Sequence, residues 1–256
     1  MKPAKFFLLN LFFLLAFKTN AGVINIEITD GRGLTSSQTD LFESAVNLWE
    51  SFLIGTRLDI DVNMEIAASA ITDDGVGDTL ASAGWSRGIR YGDVVYVTNG
   101  FMQFDSADLK QLEVSGLLFD VIIHEMAHVI GFGTIWSYFS GLYQKDSGEY
   151  LGQFALDTYR NEFDTSANFV PVDIVSENEG TRNGHWAEDW AGPSSDLLTG
   201  FLEGSTTISN TTIASFADIG YIVQLPNGQI LGLVNAPAMV SLFLITSCFI
   251  ALRRKV

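Results

Sequence analysis

Val23 to Thr29 alternates apolar and polar residues and is rich in β-branched side chains, which predicts a strand. From Thr35 to Leu53, apolar residues recur at three- and four-residue spacings through Leu41, Phe42, Ala45, Val46, Leu48, Trp49, Phe52 and Leu53. That pattern predicts an amphipathic helix, with Ser and Thr near its start and Gly55 beyond its end. Leu58 to Ile71 alternates again and predicts a second strand. Asp73 to Asp78 is a turn rich in acids and glycine, expected to be solvated because it lacks the full ligand spacing of a calcium loop. Gly92 to Thr98 predicts a third strand, closed by Asn99-Gly100, and Asp105 to Val114 a short helix or turn.

Ser115 to Ile130 is apolar on almost every face, as a buried helix is, with Gly131 expected as its left-handed cap and Gly133 beyond. After Trp136 the chain is rich in loop residues, with one more helix expected from Tyr150 to Phe163.

The helix from Ser115 to Ile130 contains His124-Glu125-Met126-Ala127-His128. Residues four apart share a helix face, so both imidazoles can reach one metal ion. Glu125 projects from the neighbouring stripe, where a carboxylate can take a proton from water activated at that metal. A random chain of this composition would show the pattern roughly once in 600. Two histidines and a glutamate in an apolar helix need polar partners, and a metal supplies them. The chain has 3 His in all, and the third, His185, lies in Gly184-His185-Trp186. Three histidine ligands and one open position are the pattern of a catalytic zinc site. The expected site is therefore His124, His128 and His185 on one Zn2+ ion, with Glu125 as general base.

The run His124 to Trp136 resembles the active-site helix of the leishmanolysin family of metzincin metallopeptidases. Further likeness lies in Met102 to Asp108, in His185-Trp186, in Asp196 to Phe201 and in Thr212 to Tyr221. The resemblance implies an α+β fold: a metzincin-like zincin with a mixed twisted sheet, a buried active-site helix and an irregular C-terminal subdomain. It implies peptide-bond hydrolysis, with a protein or peptide as substrate. Leu198 stands where that family places a methionine beneath the metal; the two side chains are similar in volume and apolar character. Some relatives silence their zinc with a propeptide cysteine, and here no cysteine precedes Cys248. The strand from Asp93 to Thr98 is expected to pair with extended substrate as an edge strand. Glu188 and Asp189 either accept imidazole N–H groups or form a solvated acidic loop. The competing readings are a cell-surface binding module on the same scaffold and a zinc hydrolase acting on other carbonyls.

Across 256 residues, 14 basic side chains face 30 acidic ones. Six of the basic residues lie at the two ends, so residues 22–252 carry eight against thirty, a net of −22. So acidic a body excludes nucleic acid as a partner and is repelled by anionic membranes. Apolar residues at 47% and charged ones at 17% exclude a disordered chain or a coiled coil.

Lys2, Lys5 and the apolar run Phe6 to Phe17, before Thr19-Asn20-Ala21, predict a signal peptide over residues 1–21. At the other end, Asn235-Ala236-Pro237, an apolar stretch from Ala238 to Leu252 and Arg253-Arg254-Lys255 resemble the layout of PEP-CTERM-type sorting tails. The expectation is an exported protein, secreted or held at the cell surface, touching membrane only through a tail at 234–256. Between these ends lie an N-terminal part, 22–133, with the buried helix, and a C-terminal part, 134–233, with His185. Cys248 is the only cysteine, so the body forms no disulfide.

Overall fold

The helix α1, Ser36–Phe52, begins at a reciprocal cap. The Gln38 amide N–H donates to the Thr35 hydroxyl at 3.3 Å, and the Thr35 N–H donates to the Gln38 side-chain oxygen at 2.9 Å. Two of the backbone donors that a helix start leaves without partners are thereby satisfied. Its inner stripe, Phe42, Ala45, Val46 and Trp49, is buried. Trp49 Nε1 donates to the Ile123 carbonyl at 3.1 Å, which ties this helix to the one bearing the histidines.

The computed structural model describes residues 22–77, 79–178, 180–201, 204 and 206–233. The expected signal peptide, the tail and Cys248 lie outside the described residues.

The chain is a mixed α+β protein built on a mixed sheet. Strands β1 (Ile24–Asp30), β3 (Val62–Ile71), β4 (Ala81–Tyr91) and β5 (Val94–Asp105) form a four-stranded sheet in the order β1-β3-β5-β4. The β1–β3 and β3–β5 pairs are parallel and β4–β5 is antiparallel. Helix α3, Leu118–Ile130, packs on β4, β5 and α1.

One expectation about this sheet is corrected. The third strand does not end at Asn99-Gly100 but runs on to Asp105. A Cβ on Gly100 would come within 2.3 Å of Val129 Cγ1, so glycine here lets α3 lie close on the sheet. Within the segment Asp93 to Thr98, Val94 to Val97 pair with Gly88 to Tyr91 of β4, whereas the β3 ladder on the other side begins only at Asn99. The edge strands are β1 and β4, and the small and polar residues that open β4 (Ala81-Ser82-Ala83-Gly84) carry no alternating apolar signal.

The predicted helix from Ser115 is divided. Gly116, at φ 79° and ψ 5°, ends the short helix α2, Leu109–Ser115, and α3 starts two residues later. At its far end Gly131 has φ 137°, positive but wide of the left-handed helical values expected for a cap. The strand predicted from Leu58 begins at Val62, after a separate strand β2, Leu53–Thr56.

The later residues form short elements: β6 (Glu149–Tyr150), α4 (Gln153–Glu162), β7 (Val170–Pro171), α5 (Asn210–Asp218), β8 (Tyr221–Gln224) and β9 (Ile230–Leu231). β8 returns to pair antiparallel with β2, and Phe216 of α5 meets Trp49 of α1 at 5.0 Å between ring centroids. One continuous hydrophobic core results, running from Ile24 to Leu225.

Candidate metal centre

Helix α3 presents His124 and His128 one turn apart, and the loop after Gly180 brings His185 to them. The chain can turn back sharply after α3 because the Gly131 and Phe132 N–H groups both return to the Ala127 carbonyl, at 3.0 and 2.9 Å. The His185 loop is held by backbone: Asp173 N–H to the His185 carbonyl at 2.9 Å, and Trp186 N–H to the Leu198 carbonyl at 2.9 Å. Behind it the rings of Trp136, Trp186 and Trp190 stack at 5.6 and 5.9 Å, a rigid aromatic wall.

The three Nε2 atoms converge. His124 to His185 is 3.0 Å, His124 to His128 is 3.1 Å and His128 to His185 is 3.1 Å. Each Nδ1 faces a backbone carbonyl: Leu197 for His124 at 2.5 Å, Phe132 for His128 at 3.0 Å and Thr181 for His185 at 2.9 Å. A carbonyl only accepts, so every Nδ1 carries the proton and every Nε2 presents a lone pair. Three lone pairs about 3 Å apart, with no proton to share, repel one another unless a cation stands among them.

Protonation is not the remedy. Burial lowers the pKa of all three imidazoles, to about 3 for His128 and well below its ordinary value for His185. His124, His128 and His185 therefore sit close together as neutral donors and could bind a metal ion. Among the described residues they are the one such group of three or more.

Glu125 is 9% exposed and joins the same cleft. Burial pushes its carboxyl up to about 8. The cleft encloses about 1110 Å³, and Leu80 to Ala83, at the start of edge strand β4, form one wall. Arg182 and Phe201 also line it.

Sequence reasoning missed the groups that orient the imidazoles, because backbone carbonyls leave no mark in the residue pattern. The acceptors are not Glu188 and Asp189: Glu188 Oε1 instead accepts the Gly200 N–H at 2.8 Å. Leu198 is fully buried, and its neighbour Leu197 supplies the carbonyl for His124. The sequence pattern also passed over Asp196, whose buried carboxylate accepts the Leu198 N–H at 3.0 Å. Compared with models of known protein families and with curated proteins, the chain matches none.

Proposed function

We propose that the protein is a zinc-dependent endopeptidase of the metzincin type, acting outside the cytoplasm. The observation that carries this reading is the convergence of three unprotonated Nε2 atoms beside Glu125, in a cleft walled by a free sheet edge.

The donor set fits zinc. Zinc holds imidazole nitrogen at about 2.0–2.1 Å, which in a tetrahedral site separates ligand nitrogens by roughly 3.3–3.4 Å. The 3.0–3.1 Å triangle formed by His124, His128 and His185 is close to that before any ion draws the rings into place. Three nitrogen ligands leave the fourth position for water or substrate. Zinc held there would supply Lewis acidity, polarising the scissile carbonyl and raising the acidity of water.

The chain's own groups would do the rest. The carbonyls of Leu197, Phe132 and Thr181 hold the imidazoles in one tautomer, with every Nε2 turned inward. Glu125 would take the proton of the attacking water and later deliver it to the leaving amine, once the charge of a bound cation offsets the burial that otherwise raises its carboxyl pKa to about 8. Edge strand β4 offers unpaired backbone groups along the cleft, with which an extended peptide pairs as an added strand. That role passes to β4 from the segment Asp93 to Thr98, which does not line the cleft. The basic-then-apolar start of the sequence supports export.

Glu125→Gln tests the reading, since it keeps the shape and removes the base. Peptide hydrolysis is expected to fall by at least a thousandfold while about one zinc per chain remains bound. Turnover near the wild-type rate would remove Glu125 from the chemistry. A zinc-loaded wild-type protein that cleaves nothing in a peptide library would favour the binding-module reading.

A further inference from the structure

Asp196 is 2% exposed, and a buried carboxylate is costly unless its oxygens are satisfied. Here three donors satisfy it. Oδ1 accepts the Leu198 N–H at 3.0 Å and the Thr212 hydroxyl at 2.8 Å, and Oδ2 accepts the Ser209 N–H at 2.9 Å.

Two of these bonds lead back to the histidines. The bond to Leu198 N–H, with the Thr199 hydroxyl on the Asp196 carbonyl at 2.9 Å, closes the turn at 196–199. That turn aims the Leu197 carbonyl at His124 Nδ1. Along the other branch, Thr212 Oγ1 donates to Asp196 and accepts Trp186 Nε1–H at 2.8 Å. Trp186 adjoins His185, and its own N–H returns to the Leu198 carbonyl of the same turn. One carboxylate thus stands behind His124 on one side and His185 on the other, though the three residues come from separate segments.

We infer that Asp196 is a positioning residue for the metal centre, which through the Leu197 carbonyl and through Thr212 and Trp186 sets the directions of His124 and His185. This rests on the three-histidine site binding a metal, as proposed above. Local packing alone would not need both branches. Ser209 already caps α5 with its own side chain, which accepts the Thr212 N–H at 3.1 Å. Outer partners of metal-bound histidines typically hold 10- to 100-fold in metal affinity.

The test is zinc affinity of the full chain, measured by competition with a chromophoric chelator, beside the unfolding midpoint of each metal-free protein. Asp196→Asn is expected to weaken zinc tenfold or more. Thr212→Val, which breaks only the branch to Trp186, is expected to weaken it severalfold, and Thr212→Ser, which keeps the hydroxyl, to restore it. Asp218→Asn is the control: it alters another buried carboxylate, one that caps α4 through the Phe154 and Ala155 N–H groups, and should leave zinc affinity unchanged. If Asp196→Asn does not fold, the Thr212 pair decides. Wild-type affinity in both Asp196→Asn and Thr212→Val would overturn the inference, as would an equal loss in Asp218→Asn. A wild-type protein that binds no zinc would instead sink the metal site itself, so the two failures are distinct.

Discussion

Gly133 and Gly184 meet backbone to backbone: a Cβ on Gly133 would stand 2.5 Å from the Gly184 carbonyl oxygen. The turn that follows α3 therefore touches the residue just before His185. Nothing larger than hydrogen fits between them, and Gly133 also has φ +70°.

Gly133→Ala should consequently act on the histidine cluster rather than only on the turn. Positive-φ strain and the clash together are expected to cost about 1–3 kcal/mol of stability. Because the displaced backbone carries His185, metal affinity should fall as well. A variant with the wild-type unfolding midpoint and wild-type metal titration would show that this contact positions nothing.

His185→Ala removes the ligand that arrives from the distant loop. Elemental analysis should find about one zinc in the wild type, and little or none in the variant after dialysis. Because a metal that binds only the folded state stabilises it by mass action, chelator should lower the wild-type unfolding midpoint and leave that of the variant unmoved. An equal chelator response in both proteins would place the metal elsewhere.

Asp218 provides a pH signature separate from the histidines. Its carboxylate lies between α4 and α5, accepting the Phe154 N–H at 2.8 Å and the Ala155 N–H at 3.0 Å. Burial nonetheless pushes its pKa up to about 7 from an ordinary 3.8. The folded state then keeps a proton that the unfolded chain releases, so this contribution to stability is full below about pH 4 and is lost as pH rises to about 7. Asp218→Asn removes that slope. Measured without metal, the variant should gain stability relative to wild type between pH 4.5 and pH 7.5, in a window set by that pKa. A constant difference across the window would mean that the two N–H groups hold the carboxylate ionised throughout.

What could be read from the chain alone was local. The amphipathic stripe from Leu41 to Leu53 yields α1 with its Thr35 cap, and the alternation after Val23 yields β1, because each pattern depends on neighbours a few residues away. The placement of His124 and His128 on one helix face is local in the same sense, as is the apolar character that buries that helix. Tertiary structure decided the rest. Strand β4 has almost no pattern of its own and exists because β5 offers it an edge. β5 continues through Gly100 because α3 presses Val129 against it from above. The partners of the imidazoles are carbonyls at Leu197, Phe132 and Thr181, and every residue has a carbonyl, so no spacing marks which ones serve. Asp196 likewise gains its place only when Leu198, Ser209 and Thr212 fold around it, and 61 positions along the chain separate His124 from the histidine it meets at 3.0 Å. Periodicity records what a residue does with its neighbours in the chain, whereas a metal centre is assembled from segments that become neighbours only when the core closes.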